Sequence, residues 1–124
     1  MSASPPDHQT LRVLAGSHVL ERASDVDDAI ARAGVLAVVI GPDGCTLMRR
    51  DDTGEEAWSA LWNGDAAHDV QATGMLSAIV TPLAAGGLPV WVASSYDGDR
   101  VFVPADRLDE ACELLEAAGH QIRQ

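Results

Sequence analysis

The chain has 124 residues, a formal net charge of −11 from 19 acidic and 8 basic side chains, and an apolar share of 47% with only 4% aromatic. That length accommodates one compact domain or two very small ones, with a core built from Val, Leu, Ile and Ala. The charge argues against nucleic acid and anionic membrane surfaces: every basic residue is arginine and no local cluster exceeds Arg49 and Arg50, whereas phosphate binding needs grouped cations that displace counterions.

Residues 1–10 carry Ser2, Ser4, Pro5, Pro6 and Asp7 with almost no apolar content, the composition of a frayed arm. They have neither the basic head nor the apolar stretch of a signal peptide, and no run approaches the roughly 18 apolar residues of a membrane span, so a cytoplasmic location is expected. Residues 11–15 and 18–23 read as two short strands, or one broken strand, separated by Gly16 and Ser17. Ser24 followed by Asp27 resembles a helix start; Val26, Ala29, Ile30 and Ala33 give that helix an apolar face and Gly34 stops it. Residues 35–40 are a continuous apolar run, Gly41, Pro42, Asp43 and Gly44 are turn chemistry, and residues 45–48 return as a strand.

The polar stretch 51–56, which contains Gly54, marks a boundary: 1–10 an arm, 11–55 a first half, 56–124 a second. Trp58, Ala60 and Trp62 alternate with Ser59 and Leu61 in a strand. Thr73 is then the predicted N-cap of a helix with Met75, Leu76, Ile79, Val80 and Leu83 on its core face, and Pro82 is expected to kink or shorten it by removing a backbone donor. Gly86 and Gly87 end the helix, residues 88–94 form a strand, and a type I′ turn at Asp97 and Gly98 leads into a strand over 100–104. Asp106 is the predicted cap of a helix over 107–118 with Leu108, Ala111, Cys112, Leu115 and Ala118 inward; Gly119 closes it, and 120–123 make a last strand. The second half therefore reads strand, helix, strand, strand, helix, strand: an α+β, ferredoxin-like βαββαβ sandwich with both helices on one face. The first half has a weaker version of that order.

With these stretches in view, DVQATGMLSAIVTPLAAGG from Asp69, LPVWVASSYDGDRVFV from Leu88 and ADRLDEACELLEAAGH from Ala105 together resemble the ACT domain family, specifically compact tandem-ACT proteins related to the cytosolic arginine sensors. Gly98 and Arg100 depart from it, standing where the family pattern has a hydroxyl and an aromatic residue. The resemblance implies two tandem ACT-like halves and a ligand, often a free amino acid, held where the loop after the first strand of one ACT domain meets a neighbouring domain. Homodimerisation through exposed sheet edges is also expected. In this chain the loop is 69–74. Thr73, Gly74 and Met75 at the helix start offer amides and a positive dipole end to a carboxylate. Asp69, Val70 and Gln71 line the same loop, and Asp69, Gln71 and the carbonyls of Ser94 and Ser95 would accept from an ammonium. Tyr96, Asp97 and Asp99 complete the predicted site, the two aspartates suiting a cationic side chain; the plainer alternatives are that Thr73 only caps and that Asp97 and Asp99 are solvated hairpin residues.

Signs of catalysis are scarce. His8, His18, His68 and His120 lack metal-ligand spacing, and neither GxSxG nor a phosphate-binding glycine loop occurs. His68 beside Asp69 is the one acid–base pair in a plausible pocket, and strand neighbours point to opposite faces. Cys45 and Cys112, far apart and outside any CxxC, are expected to be buried small apolar residues. A non-enzymatic sensor of a small metabolite, with no cofactor, is the leading expectation; a ligand-independent interaction or dimerisation module is the alternative.

Overall fold

The computed structural model describes residues 6–65 and 73–124. The chain divides into two compact units: residues up to Ala15 together with those from Ser59 onward, and Gly16–Trp58.

The larger unit contains β1 (Thr10–Val13), most of β5 (Trp58–Trp62), α2 (Met75–Ala85), β6 (Trp91–Ser94), β7 (Asp99–Pro104), α3 (Leu108–Ala117) and β8 (Gln121–Arg123). Its strands are ordered β6-β7-β5-β1-β8. Without β1 this is the ferredoxin-like order expected of βαββαβ. The difference is β1, which the sequence reading places in the first half. It sits between β5 and β8, antiparallel to the former and parallel to the latter. The boundary near residue 55 therefore does not hold for these residues. The arm expected over 1–10 is also shorter than its composition suggests, because Gln9 is 2% exposed and Thr10 already pairs with Gln121.

Alternation along the strands decides what faces the helices. Leu11, Leu61, Val101 and Val103 pack with Ile79 and Leu83 of α2 and Ala111, Cys112 and Leu115 of α3, so both helices share one face of the sheet. Each such aliphatic side chain contributes about 1.5–3 kcal/mol of burial. Cys45 and Cys112 are free and buried, and burial pushes the Cys112 thiol above its usual range.

Pro82 does not end α2; the helix runs on to Ala85. A proline at this position strips Ala78 of its in-helix donor. The His120 Nε2 lies 2.9 Å from the Ala78 carbonyl and takes that role. Nδ1 of the same ring accepts from the Gln9 amide at 3.0 Å, so the hydrogen bonds require the Nε2–H tautomer. The end of α2 is closed by Arg107, whose guanidinium donates to the Gly87 and Gly86 carbonyls. Asp106 does not cap α3. Residues Ala105–Arg107 form a 3₁₀ turn, and Arg107 occupies the N-cap without a side-chain bond.

The smaller unit holds β2 (His18–Ala23), α1 (Val26–Ala31), β3 (Val35–Gly41) and β4 (Gly44–Arg50), with β4 paired antiparallel to both β2 and β3. Asp25, not Ser24, caps α1, accepting from the Asp28 amide at 2.8 Å, while Asp28 reaches back to the Ser24 amide at 2.9 Å. Only Ala29, Cys45 and Leu47 form its buried cluster. Ion pairs supplement so small a core. Arg32 of α1 bridges Asp28 at 2.9 Å and Glu21 of β2 at 3.0 Å, and Arg49 of β4 joins Glu21 at 2.8 Å and Asp51 at 3.1 Å.

The Arg32 guanidinium, helped by the Ser24 amide, holds Asp28 down at about 2, and Arg49, then Arg32, lowers Glu21. Folded values below the unfolded ones mean stabilisation that is present above the ordinary carboxylate range and lost as pH falls through the folded values. Urea midpoints followed by circular dichroism are therefore expected to drop from about pH 4 towards pH 2. Arg32→Gln should flatten that drop, and a profile unchanged by this substitution would exclude the network as its source.

No helix among the described residues is long and apolar enough to cross a membrane.

Candidate functional site

Helix α2 starts behind Gly74, which is its N-cap at φ 81°, a left-handed conformation that glycine adopts without strain. Thr73, the predicted cap, lies one residue earlier and is exposed. The Gly74 carbonyl accepts from the Ala78 amide at 3.0 Å and from the Ser77 hydroxyl at 3.2 Å. A glycine N-cap brings no side-chain acceptor to the first turn, in contrast to Asp25 on α1.

Across the unit, the β6–β7 hairpin closes through the Ser94–Asp99 pair and a bond of 2.8 Å from the Ser95 amide to the Gly98 carbonyl. The expected type I′ turn is absent, since neither Asp97 nor Gly98 has a positive φ. Glycine is needed at position 98 for a different reason: a Cβ there would lie 2.5 Å from Gly64 Cα and 2.8 Å from the Trp62 ring. Backbone on one side leaves little room to yield. Gly98→Ala is expected to lower unfolding free energy by about 2 kcal/mol in urea titrations. A neutral result would mean that the hairpin shifts freely.

Asn63 joins hairpin and helix. It follows β5, is 2% exposed, and accepts the Asp99 amide on Oδ1 at 2.7 Å. Its Nδ2 donates to Asp99 Oδ2 at 3.2 Å and to Gln9 Oε1 at 2.9 Å. Gln9 Nε2 in turn donates to the Met75 carbonyl at 2.8 Å and the Pro6 carbonyl at 2.6 Å. Ser94 Oγ donates to Asp99 Oδ1 at 2.5 Å. A continuous polar chain thus runs from the hairpin through the ends of β5 and β1 to the first turn of α2.

Of the residues singled out from sequence, this chain joins Met75, Ser94 and Asp99. Both Asp99 oxygens accept from neighbours, so the carboxylate that sequence offers to a cationic ligand here anchors the hairpin. The Ser95 hydroxyl bonds the Gly98 carbonyl, Tyr96 is 82% exposed, and Asp97 faces solvent. Asp69, Val70 and Gln71 lie outside the described residues, as does His68. No sequence motif marks Gln9, Asn63 or His120 as site residues, although Gln9 shares the two-residue alternation of Leu11 and Val13 that points it to the helix-covered face. Among the described residues no group of three His, Cys, Asp or Glu side chains is placed to hold a metal ion.

Residues 53–117, more than half of the chain, match the model of the ACT domain. The chain belongs to the ACT domain family. ACT domains are small-molecule-binding regulatory modules, and the matched span takes in α2, the β6–β7 hairpin, Asn63 and the whole of α3 but not β1 or β8. Solved structures share the fold, two among them at high coverage. The Vibrio cholerae protein VC0802, described as of unknown function and a possible transport protein, superposes with a TM-score of 0.72 at 20% identity over 89% of this chain and 90% of its own. Protein Atu0741 from Agrobacterium tumefaciens gives 0.72 at 24% identity over 96% and 93%. No curated protein matches the sequence. Relative to the plain ACT order, the inserted β1 is what brings Gln9 to the start of α2.

Proposed function

We propose that this ACT domain protein is a non-enzymatic cytoplasmic sensor that binds a free amino acid or similar metabolite where α2 begins and the β6–β7 hairpin turns. The observation that carries this reading is the polar chain Met75–Gln9–Asn63–Asp99–Ser94, buried at Gln9 and Asn63. A ligand seated against Gly74 and the hairpin would be felt at once by β1 and β5, and only such differential contact shifts a conformational equilibrium. The reading includes two tandem ACT-like halves. Its support is that β2-α1-β3-β4, with β4 central, repeats the order of β5-α2-β6-β7, with β7 between β5 and β6. Kinship with the arginine sensors and homodimerisation belong to the same proposal.

Calorimetry and melting of the full chain against each proteinogenic amino acid test it. A ligand at 100 times its Kd should stabilise by about 2.7 kcal/mol, and Gly74→Ala, which strains the left-handed N-cap, should weaken binding. Neither heat nor a melting shift at millimolar concentrations would sink the idea.

One observation favours the alternative of a ligand-independent interaction module. Among the described residues β3 pairs only with β4, and it exposes Leu36 at 39%, Val39 at 48% and Ile40 at 74%. An apolar edge strand is a template for pairing with another chain. Sedimentation showing a dimer that Ile40→Lys dissociates and metabolites leave unchanged would favour it.

A further inference from the structure

The face of the larger unit's sheet opposite its helices carries a row of side chains that take no part in the polar chain above. Cross-strand pairing aligns Arg123 of β8 with Arg12 of β1, and Arg12 with Trp62 of β5. The guanidinium of Arg100, from β7, lies over the Trp62 ring, 5.6 Å from its centroid. Three of the chain's eight cations thus share one row in a protein of net charge −11.

Their partners are unequal. Arg12 holds Asp65 in a two-pronged bond of 2.6 and 3.2 Å, and the Trp62 indole N–H donates to the same carboxylate at 3.0 Å, which fixes the ring. Asp65 also lies within the field of Arg123. Among the described residues no carboxylate forms an ion pair with Arg100. Its Nε is buried, and among the described residues it alone of the buried side-chain nitrogens and oxygens has no hydrogen-bond partner. On the flank away from Trp62, Arg100 pairs across the ladder with Ala93 of β6, which offers no polar side chain to the guanidinium. A buried donor without an acceptor is costly, and stacking on an indole leaves the in-plane N–H fork of arginine open.

We propose that Arg100 and Trp62 form a second binding site, for a small organic carboxylate whose oxygens take the Arg100 fork and whose apolar part lies against the indole. A planar monoanion fits a single uncompensated guanidinium, while the surrounding negative charge disfavours polyanions. The site goes beyond the amino-acid reading and stands apart from it in residues: it uses none of Gly74, Asn63 or the hairpin hydroxyls.

Sodium benzoate is the probe, titrated into the full chain at ionic strength matched with sodium chloride, with tryptophan emission and melting temperature as readouts and inorganic phosphate as the comparison anion. Benzoate is expected to quench emission and raise the melting temperature at millimolar concentrations. Arg100→Lys, which keeps the charge and loses the fork, should weaken the response about tenfold, and Arg100→Gln should abolish it. If Arg100→Gln does not fold, the lysine variant decides alone. Gly74→Ala should leave the benzoate response intact, which separates this site from the one at α2. An absent response in the wild-type chain, an undiminished one in Arg100→Lys, or a response to phosphate and not to benzoate overturns the proposal.

Discussion

Replacing Asn63 by alanine is expected to lower the free energy of unfolding by about 3 kcal/mol, because it strands several polar groups at once. The Asp99 amide loses its acceptor, Asp99 Oδ2 and Gln9 Oε1 lose their donor, and all of this happens around a side chain that is 2% exposed. Asn63→Asp keeps the acceptor for the Asp99 amide but sets a second carboxylate against Asp99, so it should be no better tolerated at neutral pH. Urea midpoints read by circular dichroism check both variants. A loss below about 1 kcal/mol for Asn63→Ala would mean that the chain from hairpin to helix is not a cooperative unit.

The second large effect lies at His120, where alanine should also cost about 3 kcal/mol through two orphaned backbone groups, the Ala78 carbonyl and the Gln9 amide, and a small void. Its distinguishing feature is coupling to Pro82. With Pro82→Ala the helix regains an amide that can satisfy Ala78, so His120→Ala should cost about 1 kcal/mol less in that background. A double-mutant cycle in urea measures the difference. Strict additivity would show that the imidazole does not replace the bond proline removes.

Both predictions rest on residues that sequence reading passed over, and the reason is physical. The second half was legible because its signals are local: Gly86 and Gly87 after an apolar helix face, Asp97 and Gly98 between two strands, and the 3.6-residue spacing of Ala111, Cys112 and Leu115. Those features fixed the order strand, helix, strand, strand, helix, strand, and with it the ACT resemblance. Local signals misled where a residue has two uses. Pro82 reads as a breaker because the group that rescues it is 42 positions away in sequence, and Gly98 reads as a turn glycine although its role is to let Gly64 approach.

Sequence by itself determined the element types, the apolar faces of α2 and α3 and the burial of both cysteines, since each follows from spacing within a few residues. Only the tertiary structure decided that β1 lies between β5 and β8, and that placement made the polar chain possible. Alternation tells which side of a sheet a residue faces but not which strand will lie beside it. Gln9 and Asn63, 54 positions apart, and Asn63 and Asp99, 36 apart, therefore became partners only when the strand order was set.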